Sequence, residues 1–390
     1  MAVIEYIVFF DNNPATQDQL DRIEDVTVEQ EVDLMWEARV QIPVCVDNDG
    51  RWAGEEEAWM KEFTRVRIEA RIGDNPFVPL IDGPIVGYDT ARSGVPGKSI
   101  VTLVVRDDSV YLHREESITL YEGLADSAIA RRIFGETQQL AGSPPDIPAE
   151  TTEPPGSLPA LAVQRGTQMQ LLRALAARHH NWHAYVLPGT TPGKSIGAFR
   201  EFPTRTDGLP PMVLLGDNQN IKEFTVRNNQ QRASDVQTSS LSIADRTITT
   251  ATASFRDQQL VGDEPATGTS GNTAKRTLRP GTTDTVDPHE VVRGAAALSG
   301  YTLDASGSVV PGCYQGILSP YRLVEVQISD SRFSGNYVIT KVTHTLTRST
   351  YTQSFSAKGN AVSSSNAAAA SMPRASALAE FSFNAQGSIF

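Results

Sequence analysis

The chain has 390 residues, of which 39% are hydrophobic, 7% aromatic and 21% charged. That composition excludes a disordered or fibrous chain, and at roughly 150 residues per domain the length predicts two or three domains. With 34 Lys and Arg against 46 Asp and Glu, the net charge of −12 argues against specific nucleic-acid binding. No apolar run reaches the roughly 20 residues of a membrane span.

Two cysteines, Cys45 and Cys313, are too few for a disulfide framework, and we expect both to be buried as small apolar groups. The apolar residues 1–10 include Glu5 and have no basic flank, so they do not fit a secretion signal. We therefore expect the chain to fold in a reducing cytoplasm.

The first hundred residues are typical of short strands joined by turns. Residues 66–72 alternate apolar and polar side chains with the period of a half-buried strand. The Gly/Pro-rich residues 93–98 join two further strands into a hairpin. Together these signals predict a first tube-like β-barrel over residues 1–110. The other strand signals lie at 26–28, 38–44, 85–86 and 100–105.

The pattern then becomes helical. Apolar side chains at helical spacing predict a helix over residues 121–134, and Gly135 can end it. Residues 142–160 are rich in Pro, Gly, Glu and Thr, which is typical of a solvated connector. We therefore assign residues 111–160 to a helix and a linker.

A second helix has clearer boundaries. Thr167 and Gln170 have the spacing of a capping box, and Asn181 can end the helix. Two apolar segments around a Pro/Gly turn then predict a hairpin over residues 182–202. Residues 161–222 therefore form a small α/β insert.

Strand signals return over residues 223–360, which predict a second tube-like barrel. Asp287 and Pro288 begin a helix, with Asp as N-cap and Pro in the first turn, so we expect a helical insertion around 285–300. The fold class is therefore mainly β with an α/β insert (α+β). The strand signals lie at 224–226, 235–243, 247–255, 323–328, 337–345 and 350–357.

The two strand-rich parts resemble each other weakly. Residues 26–28 (VTV), then 38–41 (ARVQ), are similar to residues 224–226 (FTV), then 234–237 (SDVQ). No fixed-period repeat accompanies them, so a degenerate duplication is a hypothesis at this point.

Two segments contain the Gly-Lys-Ser core of a phosphate loop, at residues 97–99 and 193–195. A phosphate loop needs a glycine five residues before this core, but Arg92 and Pro188 stand there. Both segments lie between strands, which favours tight Pro-Gly turns.

No residue in the chain is assigned a catalytic, cofactor-binding or metal-binding role. The cluster of His179, His180 and His183 lacks the glutamate of a helical zinc motif, and a solvated helix end explains it better. Residues 55–57 are three glutamates in a row, which is typical of a wet surface. We therefore predict a protein that is not an enzyme and needs no cofactor.

The order of the elements is more specific than any motif. A strand runs into an Arg-Asp-Asp segment, two helices follow, and a final hairpin closes a second barrel. The segments are 100–108, 122–130, 166–176, 335–344 and 351–355. This order resembles the baseplate hub family of contractile phage tails and injection machines, namely the phage late-control protein D group and the N-terminal hub region of VgrG spikes. The resemblance covers roughly residues 1–360.

The resemblance implies a structural hub. Hubs of this family are homotrimers in which each chain contributes two tube-like barrels, so that three chains form a pseudo-sixfold ring. Such a ring adapts a hexameric tail tube to a threefold central spike. The implied partners are a second and third copy of the chain, the tube protein, the spike and other baseplate proteins. The implied location is a virion tail or an injection-particle baseplate, assembled in the bacterial cytoplasm.

The Ser/Ala-rich tail, residues 361–390, departs from the VgrG pattern. It contains neither an oligonucleotide-type barrel nor a glycine-rich β-helix, so we expect the spike to be a separate trimeric chain. The apolar end of the tail is the candidate docking segment on that spike, with a disordered terminus as the alternative. Its apolar residues are Phe381, Phe383, Ile389 and Phe390.

Two other functions stay open. A tail-associated cell-wall hydrolase would need paired carboxylates or histidines that the sequence does not reveal. A β-rich module that binds a cell surface fits the strands but not the two capped helices between them.

Overall fold

The structure is a computed structural model. It describes residues 3–46, 52–53, 57–95, 97–148, 161–179, 181–241, 246–267, 273–279, 288–329 and 331–363. Within these ranges, no helix combines the length and apolar character that crossing a bilayer requires.

Strands dominate the first hundred residues, as their alternation predicts. The alternate side chains Val26, Val28 and Val40 lie in one apolar core, which accounts for the period of two. A short helix α1 (Gln17–Arg22) and a 3₁₀ turn (Ala58–Met60) lie between strands. The strands are β1 (Ile4–Phe10), β2 (Asn13–Pro14), β3 (Asp25–Glu31), β4 (Glu37–Pro43), β5 (Cys45–Val46), β6 (Trp52–Ala53), β7 (Arg65–Ile72), β8 (Val78–Ala91) and β9 (Ile100–Arg106).

The middle of the chain combines helices with two antiparallel strand pairs. Its elements are α2 (Ser109–His113), β10 (Glu116–Glu122), α3 (Asp126–Glu136), β11 (Leu161–Thr167), α4 (Gln168–Ala176), β12 (Trp182–Pro188) and β13 (Ser195–Glu201). The predicted helix begins at Asp126 and not at Tyr121, because Tyr121 pairs with Ala162 in the β10–β11 ribbon. The predicted capping box of α4 is confirmed: the backbone N–H of Gln170 donates to the Thr167 hydroxyl, at 3.3 Å.

The remaining strands follow from residue 212. The helix predicted near residue 287 begins at Pro288, while Asp287 lies outside the described residues. Two 3₁₀ turns occur at Gln230–Arg232 and Phe255–Asp257. The other elements are β14 (Met212–Val213), β15 (Ile221–Asn228), β16 (Ser234–Leu241), β17 (Ile248–Ala253), β18 (Glu264–Pro265), β19 (Ala274–Thr277), α5 (Pro288–Gly300), β20 (Leu303–Val309), β21 (Leu323–Gln327), β22 (Gly335–Thr347), β23 (Tyr351–Gly359) and β24 (Ala361–Val362).

One large sheet runs through both strand-rich parts, in the order β15-β20-β23-β22-β3-β4-β9-β8-β7-β1-β2, with β21 and β14 attached beside β22. Most of its pairs are antiparallel, so the mainly-β prediction is confirmed. In the described part of the chain the sheet follows an open path, and the two closed barrels expected from the sequence do not form. The reason is that the second edge of β3, which a closed barrel would need, pairs with β22.

The two ends of this sheet repeat one order of pairing. The path β3-β4-β9-β8-β7 has the same neighbours and the same antiparallel directions as β15-β20-β23-β22-β21. A register shift interrupts both long strands at corresponding places, after Ile85 in β8 and after Ile339 in β22. The repeat departs from symmetry at its last strand, since β1 is antiparallel to β7 while β14 is parallel to β21.

The registers test the predicted duplication directly. When the two register shifts are aligned, residues 26–28 of β3 correspond to residues 224–226 of β15, so this part of the prediction is confirmed. The second correspondence is wrong. Strand β20 takes the place of β4, because residues 234–241 belong to a separate sheet of order β17-β16-β19.

A buried network of charges fixes the β12–β13 turn against the first strands. The Asp82 carboxylate accepts from Arg65 Nε at 2.7 Å and from one terminal nitrogen of Arg67 at 2.8 Å. The same carboxylate accepts from the backbone N–H of Gly193, at 3.0 Å, while Arg65 also binds Asp108 in a bidentate manner. Arg67 and Asp82 are each 1% exposed, so the network is an internal joint of the molecule.

Candidate functional site: two open strand edges

The contact between β22 and β3 joins the two repeats inside one chain. It pairs Lys341 with Glu31 at one end and Thr347 with Asp25 at the other. On its polar face, Lys341 Nζ lies 3.1 Å from a Glu29 carboxylate oxygen and 3.4 Å from one of Glu31. We call this contact the internal seam.

The side chains on the core face of the internal seam are buried. Val342 and His344 of β22 are fully buried, as is Val28 of β3. Nδ1 of His344 lies 2.8 Å from the Tyr351 hydroxyl and Nε2 lies 3.3 Å from Oε1 of Gln30, so both ring nitrogens have partners. Burial lowers the pKa of His344 to about 3, which keeps the imidazole neutral at physiological pH. The seam is therefore packed like the interior of a domain.

The strands that correspond to the two sides of the seam are β8 and β15. In β8, residues 85–91 pair with β9, and in β15 the whole strand pairs with β20. Ile85 also exchanges backbone hydrogen bonds with Phe63 and Thr64 on its other side. Among the described residues, no strand lies beside residues 87–91 of β8 on that side or beside the second edge of β15. These two segments are thus open edges, and an unpaired edge is a template for another strand.

Side chains on the β8 edge are exposed where those of the seam are buried. Tyr88 corresponds to Val342 and is 39% exposed, whereas Val342 is fully buried. Val86 is also 37% exposed. On β15, Phe224 and Val226 are half-buried. The open edges therefore carry apolar groups that a pairing strand would cover.

The polar face of each edge carries charged side chains. Asp89 of β8 lies 2.7 Å from a terminal nitrogen of Arg39 and remains largely exposed. Arg227 of β15 is exposed and forms no ion pair with another described residue. Asp89 and Arg227 thus place opposite charges on the two edges, while Glu223 adds a carboxylate to β15.

The proposed docking residues of the tail, Phe381, Phe383, Ile389 and Phe390, lie outside the described residues. The structure describes only the first three tail residues, of which Ala361 and Val362 form β24 against β18. The predicted role of the tail end therefore stays a prediction.

The histidines of the predicted helix end do not converge. His179 Nε2 lies 2.9 Å from an Asp126 oxygen, and His183 Nδ1 lies 2.9 Å from an Asp33 oxygen, while His180 lies outside the described residues. No group of three or more His, Cys, Asp or Glu side chains suited to a metal occurs in the described ranges.

Both Gly-Lys-Ser segments lie in turns between strands, as predicted. Gly97 and Gly193 have φ of 75° and 81°, a left-handed conformation that glycine adopts without strain. Of the glutamates 55–57, only Glu57 is described, and it pairs with Arg22 at 3.0 Å. The prediction for the cysteines is wrong, since Cys45 and Cys313 are both exposed.

Sequence analysis did not single out Tyr88, Asp89 or Arg227. Their role depends on which strand edges remain open, and this depends on pairing between distant segments. The correspondence of residues 26–28 with 224–226 was the available signal, because it identifies β15 as the counterpart of β3.

No protein-family model and no curated protein sequence matches the chain. Solved structures do match. The chain is similar to the 43 kDa tail protein of prophage MuSo2 from Shewanella oneidensis, with 15% identity, a TM-score of 0.61, and coverage of 91% of this chain and 98% of that one. It is also similar to a tail protein from Neisseria meningitidis MC58, with 12% identity, a TM-score of 0.60, and coverage of 91% and 96%.

A third match is the E. coli c3393 protein, described as a type VI secretion component with structural similarity to the T4 tail proteins gp27 and gp5. Here the identity is 11%, the TM-score 0.51, and the coverage 92% of this chain and 77% of that one. At these identities the comparisons establish a shared fold, namely one found in phage tail proteins and in a secretion-system component.

Proposed function

We propose that the chain is a structural hub subunit of a contractile-tail or injection-system baseplate, which acts as a homotrimer between a sixfold tube and a threefold spike. The observation that carries this proposal is the internal seam, together with the two open edges that correspond to its two sides. If β8 of one copy pairs with β15 of the next as β22 pairs with β3, six similar units follow each other around a ring. Three copies then close it.

The internal seam predicts the register of the contact between copies. Aligning the repeats pairs Asp89 with Arg227 and Ala91 with Thr225 of the next copy. Opposite charges directly across two strands favour that register. Tyr88 would turn toward the core, where Val342 lies in the seam.

The connections between strands differ at the two ends of such a ring. At one end, the β4–β7 connection (44–64) corresponds to the β20–β21 connection (310–322), and the β8–β9 turn (92–99) corresponds to the β22–β23 turn (348–350). Both repeats therefore have corresponding connections at this end. We call this the turn end, and we assign the hexameric tube to it. At the opposite end, the short β3–β4 loop corresponds to the insertion 229–302, and the middle of the chain also emerges there. This insertion end has only threefold symmetry, so we assign the spike and the tail docking to it.

The sheet face opposite the core would line the channel of the ring. Across β15, β20, β23 and β22 this face carries hydroxyl groups, with Glu223 and Lys341 beside them. Hydroxyl groups of this kind offer no apolar patch to which a passing cargo would adhere. The hydroxyl residues are Thr225, Ser306, Thr343, Ser354 and Ser356.

Disulfide trapping tests the proposal and its register together. In a chain with Cys45→Ser and Cys313→Ser, the pair Ala91→Cys with Thr225→Cys should give covalently linked trimers on oxidation. Light scattering of the reduced protein should give a mass three times that of the chain.

The matched control moves one cysteine along β15. Ala91→Cys with Arg227→Cys places the thiols two residues out of register and should link far less efficiently. A chain that is monomeric both in solution and in the assembled particle would contradict the hub proposal. A trimer that links only in the control pair would contradict the register alone.

A further inference from the structure

A cavity of about 630 Å³ opens at the insertion end, between α4, the start of β12 and α5. Its volume lies within the range of about 300–1,000 Å³ that is usual for ligand pockets. Much of its wall is apolar, with Ala176 and Ala177 on one side and Ala295 and Leu298 on the other. Leu298 is 48% exposed at the rim.

Three buried polar atoms without hydrogen-bond partners belong to residues that line this same cavity. They are Nε of Arg173, Oδ1 of Asn181 and Nε2 of His183. His183 and Asn181 are only 7% and 9% exposed, and His183 is held in place by stacking on Phe202 at 4.0 Å between ring centroids. A buried polar group without a partner costs free energy, so these atoms fit a ligand that supplies an acceptor and a donor.

The cavity is cationic in a chain that is acidic overall. Its one carboxylate, Asp33, already faces His183, at 2.9 Å. Arg232 is neutralised by a bidentate contact with Asp304, at 2.9 and 2.8 Å. Arg173 and Arg276 also line the cavity, and no carboxylate among the described residues pairs with either of them.

His179, the other titratable group of the wall, lies 2.9 Å from Asp126. The charge that remains without a partner in the cavity is therefore positive and belongs to Arg173 and Arg276. Of the two, Arg173 carries the buried nitrogen without a partner.

We propose that this cavity receives a glutamate or aspartate side chain on an extended segment of the protein that docks at the insertion end. The carboxylate would accept from Arg173, and a backbone N–H of the segment would donate to Oδ1 of Asn181. Apolar neighbours of the acid would lie against Leu298 and the alanines of the wall. Only the identity of that partner rests on the proposed function; the binding of an acidic segment does not.

Calorimetry with two blocked peptides tests the site, using Leu-Glu-Leu and its neutral analogue Leu-Gln-Leu on the full chain. We expect the Glu peptide to bind roughly tenfold or more tightly than the Gln peptide, because a charge-assisted hydrogen bond is lost in the analogue. Arg173→Gln should remove that preference. Arg165→Gln, an exposed arginine on β11, should retain it.

A second variant, which fills the cavity, distinguishes a loss of peptide binding from a folding defect. Ala177 is exposed, so Ala177→Phe should fill the cavity, keep the thermal unfolding midpoint and weaken both peptides. Equal binding of the two peptides, a preference that survives Arg173→Gln, or no binding at millimolar peptide would each overturn the site. Light scattering of the same samples reports separately on the trimer, so a trimer that ignores both peptides contradicts this inference alone.

Discussion

Removing a single buried charge should destabilise this chain strongly. Asp82 binds two arginines and the Gly193 backbone with a side chain that has no exposed surface. Such a network gains little over apolar packing when complete, but removing one partner leaves a buried charge without compensation. Its members are therefore more sensitive to substitution than surface pairs are.

We expect Asp82→Asn to lower the free energy of unfolding by about 3 kcal/mol, because the buried guanidinium of Arg67 loses one of its two carboxylate partners and keeps only Glu69. Urea denaturation at fixed protein concentration measures the change. The control is Glu5→Gln, which removes a half-exposed partner of Arg71 and should cost less than about 1 kcal/mol. Equal effects of the two substitutions would show that the network is not a joint of the fold.

At the scale of elements, the open edge of β8 is the feature that could not be predicted from the local sequence. Tyr88 and Ile118 are both exposed apolar residues on strands, at 39% and 86% exposure. They differ in position, since Tyr88 lies on the open edge beside β9 while Ile118 lies on the β10–β11 ribbon.

If the proposed trimer forms through this edge, Tyr88→Asp should reduce it to monomers, because the substitution places a carboxylate in the core face of the proposed contact between copies. Ile118→Asp should leave the trimer intact. Light scattering over a range of protein concentrations distinguishes the two results, and circular dichroism checks that both variants fold. A trimer that tolerates Tyr88→Asp would place the contact elsewhere.

The elements that sequence predicted well are those whose signals are local. Thr167 and Gln170 stand three residues apart, so the start of α4 was predictable without knowledge of its surroundings. Tyr121 was assigned to a helix because its strand partner, Ala162, lies beyond a long connector. The partner of β15 was missed for the same reason, since the insertion 229–302 separates it from β20. The buried charge of Arg67 was also hidden, because alternation with apolar residues normally places a charged side chain in solvent.

For the whole molecule, the proposed ring has two chemically different ends. Val95 lies in the β8–β9 turn at the turn end, and Leu34 lies in the β3–β4 loop at the insertion end. Their exposures are nearly equal, at 54% and 55%, so they form a matched pair of labelling sites.

In the background without native cysteines, Val95→Cys carrying a bulky maleimide should prevent binding of the proposed tube partner and leave binding of the proposed spike partner unchanged. Leu34→Cys with the same label should do the reverse. Co-purification of each labelled hub with tube and spike proteins measures both contacts. The opposite pattern would reverse the assignment of the two ends, and blockage of both partners by one label would contradict it.

The strands of the internal seam, β3 and β22, belong to one chain, and this affects how a ring of three chains would dissociate. Half of its six joints would lie within a chain, where the partner strand is present at a high effective concentration whatever the dilution. Only the other three would respond to dilution. Disassembly would therefore release whole chains in which the two repeats stay paired through the internal seam. Reassembly would need to restore only the three contacts between chains.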